Sequence, residues 1–151
     1  MIYDNETKKS NIDKTIQIKH LEQALRSEGI RITQQRMAIL AALVGSDDHP
    51  TVETLYRRAN KLMNHVSLAT VYRTVTVLVE CGAVIKNEFE GSNTSFELAN
   101  KPHHDHLIDI ETGEVIEFVS DEIETMQEKI AKELGYEIVF HRLELYAKRR
   151  S

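Results

Sequence analysis

The stretch SLATVYRTVTVLVECGAVIKNEFEGSNTSFEL, residues 67–98, decides the architecture. Its first half repeats with helical period. Leu68, Val71, Val75, Leu78 and Val79 face one way, Ser67 is a good N-cap, and Gly82 stops the helix. Its second half alternates. AVIKNEF and TSFEL read as two short strands around EGSN, a turn containing glycine, which predicts a β-hairpin. A helix running straight into a hairpin is the closing half of a winged helix-turn-helix, provided that more helices precede it.

They do. Ile18, Leu21 and Leu25 recur at helical spacing, with Gly29 as a C-terminal cap. In RITQQRMAILAALVG, Thr33 is the expected N-cap, and Met37, Leu40, Ala41 and Val44 share a face. A third helix starts near Thr51 and carries Val52, Leu55, Tyr56, Ala59, Leu62 and Met63 as a wide apolar stripe. Downstream of LANKP the pattern changes. Residues 103–110 and 115–118 read as strands around ETGE. Residues 121–134 read as a helix with Ile123, Met126, Ile130 and Leu134 on one face, and YEIVFHRLELYAKR alternates like a strand. The expected fold is α+β: a winged helix-turn-helix domain over residues 1–99, with 1–12 a flexible polar tail, and a small α/β dimerisation domain over 100–151. A unit of about 50 residues buries too little surface to stand comfortably alone. Its last strand is an edge that a second copy can pair.

Composition narrows the function. No run of about 18 apolar residues occurs, so no membrane helix is expected. The N-terminal MIYDNETKKSNIDK has no apolar stretch, which argues against a secretory leader and for a cytoplasmic location. The one cysteine, Cys81, excludes an intrachain disulfide and any thiolate-rich zinc finger; its place near the end of the fourth helix suggests a core position. The net charge of −5 is uneven: residues 1–99 hold 12 Lys/Arg and 12 Asp/Glu, and residues 100–151 hold 7 and 12. The acidity therefore lies outside the helical half, where a nucleic-acid interface would have to be.

The outward positions of the fourth helix are Ala69, Thr70, Tyr72, Arg73 and Thr76. Arginine can fork to guanine or hold a phosphate, tyrosine can touch a thymine methyl, and small residues permit close approach. Arg31, Thr33 and Arg36, around the start of the second helix, are candidates to hold the DNA backbone. The bland alternative is an ordinary amphipathic surface.

Three histidines and an aspartate crowd into HHDH, residues 103–106. Side chains of a strand alternate, so His104 and His106 point one way and His103 and Asp105 the other. That makes two half-sites, each needing further ligands. The candidates are His49, Glu97, Glu124 and His141. Each also has a structural reading: a loop histidine, a solvated carboxylate, a helix-start acid, a core histidine. His20 and His65 have no partners in view.

Together RITQQR (31–36), HPTVETLYRR (49–58), SLATVYRT (67–74), SFEL (95–98), PHHDHLID (102–109), EVIEF (114–118) and HRLELY (141–146) resemble the Fur family of metal-responsive transcription regulators, over residues of about 18–147. The resemblance implies a winged-helix domain joined by a hinge near residues 99–102 to a dimerisation domain. It implies one metal site from His49, Glu97, His104 and His106 across the hinge, and another from His103, Asp105, Glu124 and His141. Tyr72 and Arg73 match the DNA-contacting pair, and Arg31 matches a basic residue that approaches the minor groove. Many relatives carry Cys-x-x-Cys where this chain has Asp109 and Thr112, so the structural thiolate zinc is absent here. The implied protein is a homodimer, or a tetramer, that represses iron-uptake genes by binding near-palindromic double-stranded DNA when metal closes the hinge. Fe(II) is the first candidate ion. Mn(II) and Zn(II) suit the same imidazole and carboxylate ligands, so a manganese- or zinc-responsive regulator is the alternative. A mononuclear non-haem metalloenzyme is the rival from another class; the roughly 50 residues after the hinge are too few for a jelly roll.

Overall fold

Three hydroxyl residues start three of the helices. Thr33, Thr51 and Ser67 each take the N-cap position in extended backbone, and each side-chain oxygen accepts a hydrogen bond from the N–H three residues on. The computed structural model describes the backbone of residues 3–99 and 103–151, and side chains within 13–99 and 103–151. Along the chain run α1 (Tyr3–Ser27), α2 (Gln34–Val44), α3 (Val52–Leu62), α4 (Leu68–Glu80), β1 (Val84–Asn87), β2 (Ser95–Leu98), β3 (Asp105–Asp109), β4 (Val115–Phe118), α5 (Asp121–Glu133) and β5 (Glu144–Ala147). The order is the α+β arrangement expected. Residues 100–102, the core of the expected hinge, lie outside the described residues.

The chain divides into two compact units: Met1–Glu88 with Thr94–Lys101, and Phe89–Asn93 with Pro102–Ser151. The tip of the β1–β2 hairpin thus groups with the second unit, whereas the sequence placed it in the first.

In unit 1 the core is continuous. Leu21 and Leu25 of α1, Ile39, Leu40 and Leu43 of α2, Leu55 and Ala59 of α3, Val71, Val75 and Leu78 of α4, and Val84, Phe96 and Leu98 of the hairpin pack in one cluster. α1 is longer than its apolar repeat: its helical backbone starts at Tyr3, within the segment expected to be a tail. Once the turns around Leu21 and Leu25 are held by the core, extension adds one hydrogen bond per residue. The buried stripes are narrower at their ends than the apolar pattern. Leu62 and Leu68 are exposed, and Cys81 is an exposed helix cap, not core. β1 and β2 pair antiparallel with Ile85 opposite Glu97.

Unit 2 is a three-stranded sheet in the order β4-β3-β5, with β3 antiparallel to β4 and parallel to β5. The last strand is shorter than expected, so His141 lies in irregular backbone ahead of β5. Among the described residues of this unit only Phe89 and Ile108 are buried apolar side chains. α5 has an amphipathic pattern, yet none of its described side chains is buried, and Met126, Ile130 and Leu134 stand in the open.

Candidate metal centres and nucleic-acid interface

β3 starts at Asp105, so only part of HHDH is strand. The division of the four residues nevertheless follows the faces expected. His103 and Asp105 meet Glu124, from the first turn of α5, and His141. The contacts are tight. His103 Nε2 and His141 Nε2 are 3.0 Å apart. His103 Nε2 lies 3.3 Å from Asp105 Oδ1 and 3.5 Å from Glu124 Oε1. His141 Nε2 lies 3.5 Å from Asp105 Oδ1 and 3.4 Å from Glu124 Oε1.

Those separations fit a small cation. Ligand atoms held tetrahedrally at about 2.0–2.1 Å from one ion are about 3.3–3.4 Å from each other. Five of the edges, from 3.0 to 3.5 Å, bracket that length. Asp105 adds a second sign. Its carboxylate is 1% exposed, and neither oxygen has a hydrogen-bond partner among the described residues. A buried carboxylate flanked by two histidine nitrogens but hydrogen-bonded by neither is costly, and a cation between them would resolve that cost.

The second ligand set is divided between the units. In unit 1, His49 Nε2 is 3.1 Å from Glu97 Oε2, and both side chains are almost fully covered. His49 sits in the loop before α3; Glu97 sits in β2, held by its register against Ile85. In unit 2, the rings of His104 and His106 meet edge to face with centroids 4.8 Å apart. Phe89 lies against His106 at 4.9 Å. Glu117, which the sequence reading missed, reaches His104 Nε2 at 3.5 Å. It stands directly opposite His106 across the β3–β4 pair, so the two share a sheet face. The turn ETGE and the alternation in EVIEF carried that signal, because hairpin register follows from turn length.

One carboxylate beside these ligands has its acidity set locally. Asp48 is held below the usual carboxylate range chiefly by hydrogen bonds from Arg58. Arg58 is correspondingly pushed up by Asp48.

On α4, Ala69, Tyr72, Arg73 and Thr76 are exposed and Thr70 is half-buried. The helix therefore presents the set expected of a reading surface. Ser67 and Thr70 close its start with a 2.7 Å contact between their hydroxyls. Asn60 secures the turn before it: its amide donates to the Val66 carbonyl and its oxygen accepts from the Val66 N–H, both at 3.1 Å. Arg31 is exposed. Arg36 is not a free cation at the surface: it is half-buried and donates to the Arg31 carbonyl at 2.6 Å. Thr33 spends its oxygen as the N-cap of α2.

Known proteins resemble this chain over most of its length. Residues 27–146 match the ferric uptake regulator family. A ferric uptake regulation protein of Brucella suis is 50% identical over 128 residues, covering 85% of this chain and 91% of its own. Among solved structures, a zinc-bound manganese uptake regulator is 46% identical with a TM-score of 0.72, covering 86% of this chain and 98% of its own. The ferric uptake regulator from Pseudomonas aeruginosa, solved with manganese, is 37% identical with a TM-score of 0.70, covering 86% and 98%. The chain belongs to the ferric uptake regulator family.

Proposed function

We propose that this protein is a metal-activated repressor of iron-uptake genes, acting in the cytoplasm as a homodimer on near-palindromic double-stranded DNA. The observation that carries the metal dependence is the convergence of His103, Asp105, Glu124 and His141 on one small volume around the buried Asp105 carboxylate. The reading surface is Ala69, Thr70, Tyr72 and Arg73 on α4. Arg31 reaches toward the DNA backbone, Thr33 fixes the start of α2, and Arg36 holds the backbone that carries Arg31.

A bound divalent cation supplies positive charge and a fixed coordination shell, and no redox step is needed. His49 and Glu97 on unit 1, and His104 and His106 with Glu117 on unit 2, each offer too few donors for a full shell. Sharing one ion completes it and sets the distance between the two recognition helices of the dimer. Ligand binding shifts such an equilibrium only by its preference for one state. A coupling of roughly 1–3 kcal/mol corresponds to about 5–150-fold in DNA affinity.

Fe(II) is the favoured ion because the Brucella suis relative is named for ferric uptake. Manganese is the second reading, favoured by the 46% identity to a manganese uptake regulator. The donors alone do not choose, since Zn(II) outcompetes both at nitrogen and oxygen ligands. The relatives named above are regulators, which supports a regulatory role over an enzymatic one. The test is a gel shift at fixed salt on an iron-responsive promoter, with metal-free protein and added Fe(II) without oxygen, Mn(II) or Zn(II). Binding that appears only with metal and is lost in His104→Ala supports the reading. Binding that ignores metal refutes it.

A further inference from the structure

His49 is carried on a loop between α2 and α3, and a loop ligand is only as well placed as the loop. This loop is tied on both sides of His49. On one side Arg58, nearly two turns into α3, reaches back to Asp48 with two parallel bonds, Nη1 to Oδ1 and Nη2 to Oδ2, each 2.8 Å. Arg58 Nη1 also donates to Ser46 Oγ at 2.8 Å, and the buried Ser46 hydroxyl donates to the Ala42 carbonyl at 2.7 Å. On the other side the Phe96 N–H donates to the Pro50 carbonyl at 2.9 Å. That bond fixes the loop to β2 one residue before Glu97, the partner of His49.

We propose that Arg58 is a positioning residue for His49: its fork on Asp48 and Ser46 holds the loop so that the imidazole meets Glu97 ready to bind metal. The inference rests on the shared-ion reading above. A two-point guanidinium–carboxylate contact fixes direction as well as distance. The pair is too exposed to be explained by stability, with Arg58 37% and Asp48 56% exposed. Ion pairs in that setting contribute little to folding. What the pair does is remove freedom from residues 46–50. Supporting groups behind metal ligands typically change affinity by about 10–100-fold when removed.

The experiment uses full-length protein and Co(II), titrated optically in two backgrounds. His141→Ala disables the unit 2 cluster and reports the His49 site. His49→Ala does the reverse. Arg58→Gln and Asp48→Asn should each weaken Co(II) binding about tenfold in the first background and leave the second unchanged. The melting temperature of the metal-free protein should stay the same. Arg58→Lys keeps the charge but loses the fork, and should behave like Arg58→Gln. Unchanged affinity in the first background overturns the inference, as does a loss in both backgrounds with a lower melting temperature. A separate arm protects the interpretation. If adding His49→Ala to the His141→Ala protein does not weaken Co(II), the shared ion itself is wrong and the inference falls with it. If it does weaken Co(II) while the Arg58 variants bind normally, the shared ion stands and only Arg58's role is refuted.

Discussion

Asp109 accepts backbone hydrogen bonds from Glu111 at 2.8 Å and Thr112 at 3.2 Å, and Arg149 lies 3.8 Å away. These donors, the Glu111 N–H foremost, hold its carboxyl below the usual range. A depressed folded-state value means that its contribution to stability is present above the ordinary value of about 3.9 and is lost as pH falls through the lower folded value. Asp109→Ala should therefore lower the melting temperature of metal-free protein at pH 7, and the gap to wild type should close below about pH 4. Asp109→Asn, which keeps the acceptor oxygen, should lose less; equal losses for both would show that the turn does not depend on this acceptor. On α4, Arg73→Ala should cost about 1–3 kcal/mol of specific DNA binding and leave metal affinity unchanged. Gel shifts beside a Co(II) titration check both. The exposure of Tyr72 and Arg73 was legible from the helical period of α4, and the split of HHDH into two pairs from the alternation of extended backbone. Glu117 was not, because its place depends on a partner strand. The bond from Arg36 to the Arg31 carbonyl was not legible, because nothing in the sequence shows that this carbonyl lies within its reach.

Helix starts were the most legible elements. Thr33, Thr51 and Ser67 act as caps because a short side-chain oxygen can satisfy an orphan N–H only at that position. Strand ends were less so. Residues 136–143 alternate, but alternation only permits a strand, and the ladder to β3 starts at Glu144. The turn into α4 carries its own prediction. Asn60 pairs with Val66 in both directions as a neighbouring strand would, and also donates to the Tyr56 carbonyl at 2.9 Å. Asn60→Ala leaves two groups of Val66 without this partner, at about 1–3 kcal/mol for a buried pair. Specific DNA affinity should fall while non-specific affinity and its salt dependence hold. Parallel loss of both would mean that the domain has simply been weakened.

At the scale of the molecule, unit 2 buries only Phe89 and Ile108 as apolar side chains among its described residues, while Met126, Ile130, Leu134 and Phe140 are exposed. The helical period of α5 announced a face to be covered; nothing within one chain could say by what. A second copy is the occupant that the proposed homodimer would supply. Met126→Glu with Ile130→Glu should then yield a monomer in sedimentation velocity, since each buried apolar side chain is worth about 1.5–3 kcal/mol. DNA binding should be lost with it. A double variant that stays dimeric would place the interface elsewhere.

The grouping of Phe89–Asn93 with the second unit has a consequence for dissection. The chain passes between the units at 88–89, at 93–94 and again at 101–102. A cut after residue 99 leaves Phe89–Asn93, a part of unit 2, on the N-terminal piece. A fragment beginning at residue 100 would lack Phe89 against His106, the Ser92 hydroxyl on the Gly113 carbonyl, and the Glu90 N–H on the Tyr146 hydroxyl. Neither unit is one continuous stretch of chain, so neither can be exchanged between relatives by a single splice.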